Sequence, residues 1–188
     1  SVVSGIEEVT LQVPSFLVNA YKLDSYWYNA KAIEGFDPGE NDYYQIYRTL
    51  ILNENERFGA NTSLYLTGAL KMNGGTAQSF KDIEILGKVG QMWCTGDNIN
   101  ATGELVVRYR PEAKKWNFIS LPFDIKVSDI EANGMQFAIR YYDGANRATN
   151  GASGSWKNYK AEDIIPAGTG FIYQTNKGGT TTFHAYAE

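Results

Sequence analysis

Side chains able to do chemistry are few in this sequence, and they stand far apart. There is one histidine, His184, and one cysteine, Cys94, 90 positions away. A Cys–His dyad or a Ser–His–Asp arrangement would have to draw on that histidine. His184 sits in the alternating segment TTTFHAYAE, and no Gly-x-Ser-x-Gly elbow presents a serine. Cys94 follows Met92 and Trp93, neighbours that suit a small buried apolar residue better than a reactive thiolate. Zinc lacks ligands. Glu34, Asp37, Glu40 and Asp42 gather in AIEGFDPGEND, but their spacing is not that of the D-x-[DN]-x-[DN]-G calcium loop, so they read as solvated loop charges. No phosphate-binding loop is present. No catalytic residue, no metal ligand and no cofactor is therefore expected, and the protein reads as a non-enzyme. Glycoside hydrolysis needs only two facing carboxylates, and with 21 Asp and Glu in the chain it stands as the enzymatic alternative.

Recognition asks for different residues, namely aromatic platforms with polar neighbours. Aromatics make up 14% of the chain. Tyr26, Trp27 and Tyr28 follow one another beside the acidic loop, and three consecutive aromatics on a strand point alternately, so at least one leaves the core. Trp156 lies inside the polar run from Asn146 to Tyr159. These four are the expected ligand-binding residues. The competing structural reading buries Trp27 between two rim tyrosines and makes Trp156 the anchor of its loop. The net charge of −4 and the absence of any Lys/Arg run argue against a phosphate-backbone partner, so nucleic acid is not expected. No stretch reaches 18 apolar residues, so no membrane span is expected. No charged-then-apolar leader opens the chain, which fits an intracellular protein or an exported one whose leader has been removed.

The elements that must position these residues are strands. Val9, Leu11 and Val13 alternate with Thr10 and Gln12, the period-2 pattern of a half-buried strand. Phe16–Leu23 reads as a second strand. Tyr43–Leu52, Ser63–Met72, Ile83–Leu86 and Leu105–Arg110 are further β-prone runs, with Asn73-Gly74-Gly75 a strong turn signal. The strands recur at irregular intervals, and no fixed period is found. That favours a meander in a sandwich over the turns of a β-solenoid. Helical signals are confined to single turns at Val127–Ala132 and Ala161–Ile164. The expectation is an all-β protein of the β-sandwich type, with Greek-key or meander connections and little helix. Two organisations fit equally: two packed β halves, 1–112 and 113–188, or one continuous domain.

The second half carries an ordered set of short motifs: Trp-Asn-Phe-Ile-Ser-Leu-Pro-Phe at 116–123, Val-Ser-Asp-Ile at 127–130, Tyr-Asp-Gly at 142–144, Trp156, and Pro-Ala-Gly-Thr-Gly-Phe-Ile-Tyr at 166–173. In that order they resemble β-rich modules of bacterial surface and secreted proteins, especially uncharacterised surface proteins of gut Bacteroidetes, over roughly residues 115–175. Lys115 stands where those modules usually have glycine, and the loop between Gly144 and Trp156 is longer. The resemblance implies a non-catalytic module of an exported protein. In that setting the expected partner is a glycan or protein ligand at the cell surface, with a purely structural or assembly role as the alternative. The motif residues themselves read as folding devices: Trp116, Phe118, Leu121 and Phe123 offer apolar bulk worth about 1.5–3 kcal/mol each if buried. Pro122 ends a ladder, Gly144 suits a positive-φ turn, and Gly168 and Gly170 suit close backbone approach.

Overall fold

A computed structural model describes residues 5–36, 43–53, 58–73, 77–88, 90–93 and 99–186. The protein is all-β, as its composition and alternation lead one to expect, and among the described residues two short α-helices interrupt the strands.

The N-terminal unit is β1 (Thr10–Pro14), α1 (Val18–Leu23) and β2 (Ala32–Phe36), with the two strands paired in parallel. Phe16–Leu23 is thus largely helical where alternation suggested a strand. Leu17, Val18 and Tyr21 are its half-buried positions, and they recur at helical rather than period-2 spacing.

Beyond β2 the chain coils. Strands β3 (Tyr43–Ile46), β4 (Leu50–Asn53), β5 (Ser63–Leu66), β6 (Ala69–Asn73), β7 (Gln78–Phe80), β8 (Ile83–Leu86), β9 (Gln91–Trp93), β10 (Ile99–Ala101) and β11 (Leu105–Tyr109) wind as a three-sided solenoid. One side stacks β3, β5, β8 and β11, a second β4, β6 and β9, and a third β7 and β10, all in parallel. Stacked residues on the first side lie 20, 19 and 22 positions apart, as in Tyr43 opposite Ser63, Leu64 opposite Ile83 and Ile83 opposite Leu105. The runs Tyr43–Leu52 and Ser63–Met72 are therefore each two strands meeting at a corner, not one. Parallel coiling replaces the meander and Greek-key connections in this half. Inward residues form continuous apolar ladders: Tyr44, Leu64, Ile83 and Leu105 in one, Ile46, Leu66, Ile85 and Val107 in the next.

The corners stack as well. Asp82 ties successive coils: its carboxylate accepts from the Ser63 hydroxyl at 2.9 Å and from the Glu104 amide at 2.9 Å. Gly68 and Gly90 occupy corners where a side chain has no room. A Cβ on Gly68 would meet the Arg48 carbonyl oxygen, and one on Gly90 the Leu66 carbonyl oxygen.

After β11 the chain changes style. Strands β12 (Asn117–Ile119), β13 (Ile125–Lys126), β14 (Phe137–Tyr142), β15 (Trp156–Asn158), β16 (Ile164–Ile165) and β17 (Phe171–Thr175) form an antiparallel sheet in the order β12-β17-β14-β15 and a small β13–β16 pair. The last strand, β18 (Thr181–His184), returns to the solenoid and pairs antiparallel with β11, placing Phe183 opposite Val107. Phe171, Tyr173 and Phe183 belong to the same apolar cluster as Leu52, Leu66 and Phe80. The two halves share one core.

The polar run Asn146–Tyr159, read as a loop, contains most of α2 (Gly144–Asn150) and all of β15. Asp143 caps that helix by accepting from the Asn146 amide at 2.8 Å. Gly144 accordingly lacks the left-handed φ that its Asp-Gly context suggested. Gly168 does lie at φ +75° and donates its amide to the Leu121 carbonyl. Gly168 and Gly170 both have open space where a Cβ would be, so the close approach expected of them is not what requires either.

Candidate functional site

In the β12-β17-β14-β15 sheet, paired residues share a face. Phe118 opposes Ile172, Ile172 opposes Arg140, Arg140 opposes Asn158, and Tyr142 opposes Trp156, so all six project from one side with Ala138 and Gln174. The opposite parity supplies Phe171, Tyr173 and Ile139 to the core. The first side is the outer one. Phe118 is 81% exposed there, Tyr142 47% and Trp156 40%, and Trp116, just before β12, is 37% exposed. The expectation that Trp116 and Phe118 are buried is overturned. In the run Trp116–Ile119 both parities carry apolar residues, so alternation could not say which faces inward, whereas Leu121 and Phe123 are buried as expected.

Phe118, Tyr142 and Trp156 form a connected cluster, and Trp116 joins the face through Arg140. Trp156 meets Tyr142 edge-on at 5.1 Å between centroids and Phe118 at 6.4 Å. The Arg140 guanidinium lies 4.9 Å from the centre of the Trp116 ring, and its Nε donates to the Asn158 side-chain oxygen at 2.8 Å. Beneath them Ile172 is covered. The α2 connection fixes the register that sets Trp156 against Tyr142: the Asp143 amide donates to the Ser155 carbonyl at 2.7 Å, and the buried Ser155 hydroxyl donates to the Gly151 carbonyl at 3.0 Å. A rigid strand pair thus holds Trp156, rather than a loop.

Phe118 also borders a cleft of about 740 Å³ between the last coil and the sheet, lined by Ile85, Lys88, Met92, Tyr109 and Leu121 among others. The Lys88 ammonium lies over the Tyr109 ring at 5.4 Å, and the Tyr109 hydroxyl donates to the Asn117 side-chain oxygen at 3.1 Å. Burial, and secondarily the Glu112 charge, raises the Tyr109 phenol above its ordinary value.

Of the residues singled out from sequence, Trp156 belongs to this cluster and Tyr26, Trp27 and Tyr28 do not. Those three follow α1 in a turn, not a strand. Asp24 organises it by accepting from the Tyr26 amide at 2.8 Å and the Trp27 amide at 3.3 Å. Tyr26 and Tyr28 are exposed, Trp27 is half-buried, and Tyr26 packs edge-on against Trp27 at 4.9 Å. The N-terminal unit meets the first coil through stacking of Phe36 on Tyr44, whereas the sheet attaches beyond the last coil. Trp116, Phe118, Arg140 and Tyr142 were missed. The signal that would have found them is shared parity: Trp116 with Phe118, and Arg140 with Tyr142, each two apart.

His184 lies on β18 with Nε2 at 3.4 Å from a Glu131 carboxylate oxygen. Glu34 on β2 accepts from the Gln12 amide group. Cys94 and the acidic residues Asp37, Glu40 and Asp42 lie outside the described residues, as does the Gly74-Gly75 turn. Among the described residues no three His, Cys, Asp or Glu side chains gather in a way that could hold a metal ion, and no helix is long and apolar enough to cross a membrane. Comparison with protein-family models, curated proteins and solved structures returned no match.

Proposed function

We propose that the outer face of the C-terminal sheet is a glycan-binding surface, and that the protein is a non-catalytic recognition module working outside the cell. One observation carries this reading: four exposed rings, Trp116, Phe118, Tyr142 and Trp156, accompany an arginine–asparagine pair on the outer side of one sheet. Aromatic faces receive the apolar C–H side of a sugar ring, while guanidinium and amide groups hydrogen-bond its hydroxyls. Preorganisation favours binding, because strand pairing already fixes the backbone and mutual contacts limit the rotamers. Leaving this much aromatic surface in water gains nothing for folding, and contiguous exposed apolar area is a usual mark of an interaction site. The likeness of residues 115–175 to modules of surface proteins supports the extracellular setting.

The test is a glycan array probed with the wild-type protein, Trp156→Ala and Trp27→Ala. Reproducible hits that vanish in Trp156→Ala, survive in Trp27→Ala and occur with unchanged melting support the assignment. Hits lost only in Trp27→Ala move the site to the N-terminal turn. A blank array favours a structural or assembly role.

A further inference from the structure

The proposed glycan face carries a charge whose sign bears on its ligand, and the inference drawn from it rests on the glycan reading. The outward positions of the four strands run from Phe118 and Ile172 through Arg140 to Tyr142, Trp156 and Asn158, flanked by Trp116. They include one formal charge, the Arg140 guanidinium, and no carboxylate, on a chain whose net charge is −4. Two charges adjoining these strands are engaged elsewhere: Lys115 pairs with Glu112 at 2.7 Å, and Asp143 caps α2. Among the described residues no carboxylate lies within ion-pair distance of Arg140. Its Nε is held by Asn158 and its Cζ lies 4.9 Å from the centre of the Trp116 ring, which leaves the two terminal nitrogens without a carboxylate partner. A guanidinium held in this way can give two parallel hydrogen bonds to two oxygens of one oxyanion.

We infer that the surface selects acidic saccharides, sugars bearing a carboxylate or sulfate group, with Arg140 binding the oxyanion while Trp156, Tyr142 and Phe118 receive the ring. Asn158 is the positioning residue, holding the guanidinium for that contact. Rings supply binding to any sugar of suitable shape, and the arginine supplies the preference.

The experiment is titration calorimetry of the full chain against uronic-acid and sulfated oligosaccharides. Each is measured beside its carboxyl-reduced or desulfated counterpart, and the two acid series separate the two sources of the oxyanion. At least one acidic member should bind about tenfold tighter than its neutral counterpart, with affinity falling as salt rises. Arg140→Gln should erase that preference, bringing each acidic member down to the affinity of its neutral counterpart for the same variant, while Arg140→Lys should keep part of it as a point charge. Neutral and acidic members bound equally, with both lost in Trp156→Ala, would overturn the acidic preference while sustaining the glycan face. No binding to any member would overturn both. Should Arg140→Gln fail to fold, the wild-type ratio of acidic to neutral affinity still decides.

Discussion

Trp156 and Phe183 are both aromatic residues on strands, yet their surroundings assign them opposite work. Phe183 is fully buried, packed edge-on against Tyr173 at 5.3 Å and Phe171 at 6.1 Å. Phe183→Ala should cost about 3–5 kcal/mol in denaturant unfolding. Trp156→Ala loses two partly exposed ring contacts and should cost about 1 kcal/mol in the same assay, with its effect falling on ligand affinity instead. A Trp156→Ala variant as unstable as Phe183→Ala would mark Trp156 as a core anchor and count against the glycan face. Tyr173 gives the fold a pH limit. Burial pushes its phenol above the ordinary value of 10.0, against which the hydrogen bond with Thr181, 3.1 Å long, acts in the lowering direction. The unfolded chain gives up this proton at lower pH than the folded one. The stabilisation is therefore complete below pH 10 and is lost as pH rises through the folded-state value. Tyr109 and Tyr159, raised chiefly by burial, act in the same direction. Alkaline unfolding followed by tyrosinate absorbance should show ionisation of this group coinciding with loss of structure, and Tyr173→Phe should make the decline above pH 10 shallower.

The coils depend on corners as much as on strands. Gly90→Ala sets a methyl group against the Leu66 carbonyl and at 2.8 Å from an Ile85 methyl, so backbone has to move. The expected cost is about 1–3 kcal/mol, read as a lowered denaturant midpoint. Gly134→Ala tests a different constraint, since that glycine sits in open space at φ +73° and would be penalised by conformation alone. The same corners explain what could be read from sequence and what could not. Strand character was legible throughout, because Leu64 with Leu66 and Ile83 with Ile85 alternate with more polar residues. The coiling was hidden because the spacing of stacked residues drifts between 19 and 22, and because runs such as Tyr43–Leu52 stay β-prone through Tyr47 and Arg48, where the chain turns. Helix α2 was hidden because its sequence, GANRATN, is polar and short and is set by the Asp143 cap rather than by an apolar stripe. At the candidate site Trp156 stood out as a lone aromatic in polar surroundings. Arg140 did not, since its importance comes from Trp116 and Asn158, 24 and 18 positions away.

β18 binds the two styles of folding together. It leaves the antiparallel sheet, crosses to the solenoid and covers the β11 edge, while Glu131 bridges to Thr182 on its far side. Exposed β edges invite association, so removing β18 uncovers β11 and opens the shared core. The whole chain should unfold in a single cooperative transition by calorimetry, and residues 1–112 expressed alone should lack stable structure. Two separate transitions, or a folded 1–112 fragment, would show the halves to be independent. The stacked coils carry a geometric corollary. Each coil advances the molecule by one strand spacing, about 4.8 Å, for about twenty residues of chain. Adding or excising one whole coil would therefore change only the distance between the N-terminal unit and the sheet, leaving both ends chemically as they were. The length of the first half is thereby set in fixed steps by the number of coils it stacks.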